Sequence, residues 1–266
     1  MKNLAKIQAR PNLNSPNMLA AWPGIGNVAS IVANYLRRKL NFKPLGQLEA
    51  SYFFDPIGIT VKDNVVEAPQ FPQNNFYYWK NKDGGSDIIL FIGDDQPPSK
   101  GYELANSVLD MGQRFKVKRI YTCAAALTRI HHTEQPGVWG VASSQHLTGD
   151  LIKYDLMRTG NLQIAGLNGL VLGVAKEKNV EGICLLGEVP FYATRLQNPI
   201  AALAVLKVLT TVLDIDIDLA ELAVLAGETM EKMKEMAAQA MGEYIDFFTE
   251  PIWERGEGEE EDEEEE

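Results

Sequence analysis

Apolar residues recur along this chain in two rhythms. Ile25, Val28, Ala29, Val32, Tyr35, Leu36 and Leu40 fall on one stripe at helical spacing, with Asn34, Arg37 and Arg38 off it. That stripe predicts a helix within residues 17–41, entered from a short apolar strand through the Pro23-Gly24 turn. Residues 88–92 form a continuous apolar run that reads as a buried strand, and 118–125 and 181–188 read the same way. Helices are predicted from near Ser99, with Ala105, Val108, Leu109, Gly112 and Phe115 on one face, after the Gly166-Leu167-Asn168-Gly169-Leu170 stretch to about Lys178, and over 199–213. Asn198-Pro199 supplies a capping side chain and a first-turn proline for the last of these. Strand and helix alternate over 86–213, which predicts a parallel sheet covered on both faces.

Three stretches break the alternation. Residues 48–54, 65–68 and 76–79 are short, aromatic and bounded by turn residues, so they predict strands of an antiparallel extension. Their aromatics must pack on something, either the protein's own core or a second subunit. Residues 128–150 read as loops around a short strand at 137–141, and they hold all three histidines, His131, His132 and His146. After residue 218 the pattern is helical only. Asp218 with Glu221 resembles a capping pair, Gly227 is a predicted break, and Met230, Met233, Met236 and Met241 line the stretch. The expected organisation is a flexible lead-in at 1–16, an α/β core at 17–215, a helical extension at 216–250 and a disordered acidic tail at 254–266.

Charge sharpens this picture. The net charge is −11, but nine acids lie in residues 257–266 alone, so the rest of the chain is close to neutral. No basic face is evident and nucleic acid is not an expected partner. The acidic run is expected to serve either as a contact arm for a basic partner or as a solubilising tail. The longest apolar run, over 200–213, is too short to cross a bilayer, so no membrane partner is expected. Cys123 and Cys184 each sit in an apolar run as small buried hydrophobes, which fits a reducing, cytoplasmic setting.

Candidate chemistry clusters where strands end. Gly24, Gly26 and Asn27 stand between strand and helix, where backbone N–H groups can meet an anion or the glycines can simply make a tight corner. The spacing lacks the third glycine of the dinucleotide fingerprint and the Gly-Lys-Ser/Thr of a P-loop. Asp94 and Asp95 follow the strand at 88–92, and Glu188 ends the strand at 181–188. With His131 and His132 they compose an acid–base set for a small polar substrate, or a set of turn and loop residues. No metal-ligand spacing and no Gly-x-Ser-x-Gly elbow is present, and no metal or cofactor is expected.

Five motifs follow one another between residues 17 and 225. They are Trp22-Pro23-Gly24-Ile25-Gly26-Asn27-Val28, Gly93-x-x-Gln96-Pro97, Gly166-Leu167-Asn168-Gly169-Leu170, Glu188-Val189-Pro190-Phe191-Tyr192, and Asn198-Pro199 with Ala201-Ala202. In this order they resemble the proteasome assembly chaperone 2 family. The resemblance implies a three-layer αβα sandwich with a mainly parallel sheet, like that of nucleoside phosphorylases and hydrolases. It implies a non-catalytic, chaperone-type role, binding proteasome subunits through an apolar surface, and a homo-oligomer is the expected form. The surface is expected at Phe76, Tyr77, Tyr78 and Trp79 or at Met230, Met233, Met236 and Met241. Some chaperones of this kind end in a hydrophobic–tyrosine–any-residue tail. Here acids stand in that place, with Tyr244 and Trp253 upstream, so tail docking of that type is not expected. The alternative is a hydrolase or phosphorylase-type enzyme with a pocket at the strand ends, using Glu188, His131 and Asp94, with Gly24, Gly26, Asn27, Asp95 and Asn168 as further ligand contacts.

Overall fold

The computed structural model describes residues 4–56, 58–131, 133–157 and 162–249. In chain order its elements are β1 (Ala5–Ile7), β2 (Asn17–Ala21), α1 (Val28–Lys39), β3 (Lys43–Leu48), β4 (Val61–Lys62), β5 (Val65–Val66), β6 (Asn74–Trp79), β7 (Ile88–Gly93) and α2 (Gly101–Arg114). There follow β8 (Arg119–Thr128), β9 (Val138–Ala142), α3 (Thr148–Lys153), α4 (Leu167–Glu177), β10 (Glu181–Pro190), α5 (Pro199–Leu213) and α6 (Ala220–Thr249).

One eight-stranded sheet runs in the order β1-β3-β6-β7-β2-β8-β10-β9. Its four central strands, β7, β2, β8 and β10, are parallel. β6, β3 and β1 continue one side antiparallel, and β9 closes the other side antiparallel. Side chains alternate between two cores. Leu19, Ile88, Leu90, Cys123 and Leu185 face α1, α5 and α6, whereas Met18, Ala20, Ile89 and Phe91 face α2 and α4. The result is a three-layer α/β sandwich. α5 is apolar almost all round because it lies between the sheet, α1 and α6.

Several expectations change. Residues 48–54 are not a strand. β3 ends at Leu48, and the chain turns at Ala50–Tyr52, where the Phe53 and Phe54 N–H groups both donate to the Ala50 carbonyl. That turn drops both phenylalanines into the core beneath α2. The lead-in is not loose throughout, since β1 pairs with β3 and the Asn14 N–H donates to buried Asp87 at 2.6 Å. Gly227 does not break α6. A glycine costs a helix only about 1 kcal/mol, and Leu222, Ala226 and Met233 bury one continuous face across it. α3, which the loop-rich reading lacked, is held to the sheet by Arg119, whose guanidinium bridges Asp150 and Glu181.

β4 and β5 form a separate hairpin. Asp63 and Asn64 both adopt left-handed conformations, φ 49° and 60°, giving the turn whose twist matches a two-residue hairpin. No helix among the described residues is long and apolar enough to cross a membrane.

Candidate functional site

In an open parallel sheet the natural ligand crevice lies past the strand ends, where neighbouring strands send their helices to opposite faces. Here that place is the end of β2 beside β7: α1 leaves on one face and α2 on the other. The crevice is filled by the chain's own side chains. Trp22 is fully buried and its ring sits 4.8 Å from that of Phe91. Gly93 makes room for it, because a Cβ there would stand 2.5 Å from the indole.

Four of the five motifs meet around this plug, tied by side-chain amides. The Asn168 Oδ1 accepts from the Trp22 N–H, and its Nδ2 donates to the Trp22 carbonyl, both at 3.1 Å. The Gln96 Nε2 donates to the Pro23 carbonyl at 2.6 Å, and its Oε1 accepts from the Leu167 N–H at 2.8 Å. On the other face the Gly26 carbonyl accepts from the Asn198 N–H at 2.8 Å. The Asn198 Oδ1 caps α5 by accepting from the Ala201 N–H at 2.8 Å. Gly26 has φ 63°, and a Cβ would lie 2.9 Å from that of Asn198. Two requirements therefore select glycine at this position, the left-handed backbone and the close approach.

Several of the proposed ligand residues thus already have partners within the protein. The Asn27 N–H donates to the Gly24 carbonyl and the Val28 N–H to the Ile25 carbonyl, so the turn consumes donors an anion would need. Asp94 pairs reciprocally with Gln73, and Asp95 accepts from the Gln96 N–H at 2.7 Å, so both act as turn residues. Glu188 clamps the loop before β9. Its carboxylate accepts from the Gly137 N–H at 2.8 Å and from the Trp139 Nε1 at 3.3 Å. Glu188 and His131 do share a hollow, with Glu134, Pro190, Asn198 and Met233, but its volume is about 10 Å³. At most one water fits there. The His131 Nδ1 lies 2.7 Å from the Thr133 hydroxyl, Asp94 lines no part of the hollow, and His132 lies outside the described residues. No group of three or more potential metal-ligating side chains occurs among the described residues.

The two expected partner faces divide. Phe76 is fully buried, packed 4.8 Å from Phe91, because its position in β6 faces the core under α2. Met233 is likewise buried, on the α5 side. Neither is available as a surface anchor. Tyr77, Tyr78 and Trp79 are half-buried, as is Met230, and the side chains of Met236 and Met241 lie outside the described residues. Tyr77 lines a groove of about 800 Å³ between α1 and α6 with Ile31, Tyr35, Phe42, Leu222 and Leu225. Arg37 donates to the Tyr77 hydroxyl at 2.9 Å and stacks its guanidinium over a tyrosine ring, 5.0 Å from the centroid. Beside it Leu225 is 46% and Val224 63% exposed.

The start of α6 is anchored at this groove by charge. The Lys39 ammonium donates to Asp218 at 3.0 Å and to Glu221 at 2.8 Å, and Arg38 also pairs with Glu221. The Ala220 N–H, and then Lys39, hold the Asp218 carboxyl below its usual range; Lys39, and then Arg38, do the same for Glu221. Sequence reasoning did not single out Arg38, Lys39 or Leu225. The three-basic last turn of α1 was the available signal, since such a turn invites carboxylates from a neighbouring helix start.

The protein aligns with an uncharacterised protein, MJ1210, of Methanocaldococcus jannaschii at 28% identity, over 82% of this chain and 81% of that one. Among solved structures it is similar to Pyrococcus furiosus PbaB, described as an archaeal proteasome activator, at 28% identity and a TM-score of 0.74, covering 88% of this chain and 98% of that one. It shares its fold with a PAC2 family protein of Streptomyces avermitilis, at 23% identity and a TM-score of 0.72, covering 86% and 99%. The sequence model of the PAC2 family matches residues 18–237, which include all five motifs and the first part of the helix that borders the groove, and the chain belongs to that family.

Proposed function

We propose that this protein is a non-catalytic, chaperone-like molecule that binds proteasome-type subunits, and that it works as a homo-oligomer in the cytoplasm. Membership of the PAC2 family, with similarity to an archaeal proteasome activator across nearly all of that protein, supports the partner class. The observation that carries the non-catalytic reading is the plugged crevice. Trp22, Gln96 and Asn168 occupy the place where this fold offers a substrate site. The partner surface is the groove between α1 and α6, with Tyr77 and Leu225 as apolar anchors and Arg37 and Arg38 in its lining. Covering one such large side chain contributes about 1.5–3 kcal/mol, so a few anchors give binding that assembly can later displace.

The test is affinity capture of the full-length protein through an N-terminal tag from its own cells, followed by mass spectrometry. Proteasome subunits are expected in near-stoichiometric amount, and Leu225→Ser should remove them at least about tenfold, the equivalent of 1.4 kcal/mol. Recovery of the protein's own copies alone would contradict the reading.

A further inference from the structure

Just past the α1 C-terminus, a second groove of about 500 Å³ is lined by Leu40, Asn41, Lys43, Tyr78, Trp79, Lys80 and Lys82. It joins the end of α1, the start of β3 and the end of β6. Lys43, Lys80 and Lys82 are exposed, and among the described residues none of them has a carboxylate partner. This contrasts with the neighbouring Arg38 and Lys39, which are both paired. Tyr78 and Trp79, both half-buried and consecutive in β6, border the groove along with Leu40. The groove therefore suits an extended acidic peptide, with carboxylates against the lysines and its methylene groups against the apolar part of the lining.

The chain carries such a peptide. Residues 257–266 hold nine carboxylates and a single glycine. We infer that this acidic segment of one copy docks in the Lys43–Lys80–Lys82 groove of a second copy.

Reach decides for a second copy. α6 begins next to the groove, where Lys39 grips Asp218 and Glu221. It then runs antiparallel to α5 and brings Met233 beside Asn198 and Ile200 at the opposite end of the sheet. Its 30 residues carry the chain about 45 Å away at 1.5 Å per residue. The 17 residues after Thr249 span no more than about 60 Å when fully extended. Returning to its own groove would consume about thirteen of them and deliver only the last few acids, at full extension. A neighbouring copy can present its groove to the whole acidic run. The contact rests on the self-association proposed above and is independent of the identity of any further partner.

Zero-length carbodiimide cross-linking of the full-length protein tests this. Equal amounts of unlabelled and 15N-labelled copies are mixed, cross-linked and analysed by mass spectrometry. Cross-links from 257–266 to Lys43, Lys80 and Lys82 should exceed those to the exposed lysines Lys116, Lys153 and Lys176 severalfold. They should join labelled to unlabelled copies. They should also fall severalfold in about 0.5 M NaCl, where the screening length drops to about 4 Å. The variant carrying Lys43→Glu, Lys80→Glu and Lys82→Glu removes the acceptor amines. In it the mass of the assembly by light scattering should shift toward smaller species, as it should on deleting 257–266. Cross-links confined to like-labelled copies, or spread evenly over all lysines, would overturn the inference. An oligomer of unchanged mass in both variants would overturn this contact alone, while a wild-type monomer at every concentration would also overturn the self-association on which it rests.

Discussion

Asn168→Ala tests the plug at the end of β2. Asn168 is buried and gives both ends of its amide to the backbone of Trp22, 146 residues away in sequence. Truncation leaves a buried N–H and a buried carbonyl without partners, and each such group costs about 1–3 kcal/mol. The expected loss is about 2–5 kcal/mol, which for a chain of this length lowers Tm by roughly 5–15 °C. Urea unfolding should show a lower midpoint with an unchanged slope, since the surface exposed on unfolding is the same. Asn168→Asp refines the test. It keeps the acceptor for the Trp22 N–H but sets a buried carboxylate oxygen against the Trp22 carbonyl, raising its folded pKa above the unfolded value of about 3.9. A raised folded pKa means stability is lost as pH rises through that window. The Asp variant should therefore recover relative to wild type on acidification, while the Ala deficit stays flat with pH. A loss for Asn168→Ala below about 0.5 kcal/mol, the range of ordinary surface changes, would mean that the amide does not hold the Trp22 backbone in place.

Glu188→Gln should keep the fold and partner binding, with a stability loss of about 1 kcal/mol and faster amide exchange at Gly137, because a neutral acceptor replaces a charged one. The carboxyls of Asp218 and Glu221 are held below their usual values, so their contribution is present above the unfolded values near 4 and is lost as pH falls through the folded ones. Acid exchange measurements should show the first turns of α6 loosening below about pH 4 before the sheet does, and Lys39→Met should abolish that difference. Burial pushes the Cys184 thiol up to about 12 and the Cys123 thiol well above its ordinary range, so neither should react with a thiol reagent until the protein is unfolded.

The parallel centre of the sheet was legible because β7 is an unbroken apolar run, β8 and β10 are largely apolar, and helices of clear period flank them. The motifs were legible as landmarks, but their role was not. Asn168 and Gln96 act across 146 and 71 residues of sequence, and no local spacing shows that an amide side chain will be spent on a distant backbone. Asp94, Asp95 and Glu188 have the residue types of an acid–base site and the contacts of turn and loop residues. Only their partners separate those readings. Leu48–Phe54 misled because aromatic residues favour strands while the same residues, after a tight turn at Ala50, fill a core equally well. Phe76 and Tyr77 show the same limit at one-residue resolution. Alternation places them on opposite faces of β6, but which face is covered depends on α2, which lies more than twenty residues further along the chain.

The most direct test of the account is calorimetric titration of the purified full-length protein with purified proteasome subunits from the same cells, run in parallel with Leu225→Ser and Glu188→Gln. Saturable binding is expected, which Leu225→Ser weakens at least about tenfold and Glu188→Gln leaves unchanged. Absence of binding by the wild type, or binding that depends on Glu188 and ignores Leu225, would contradict it.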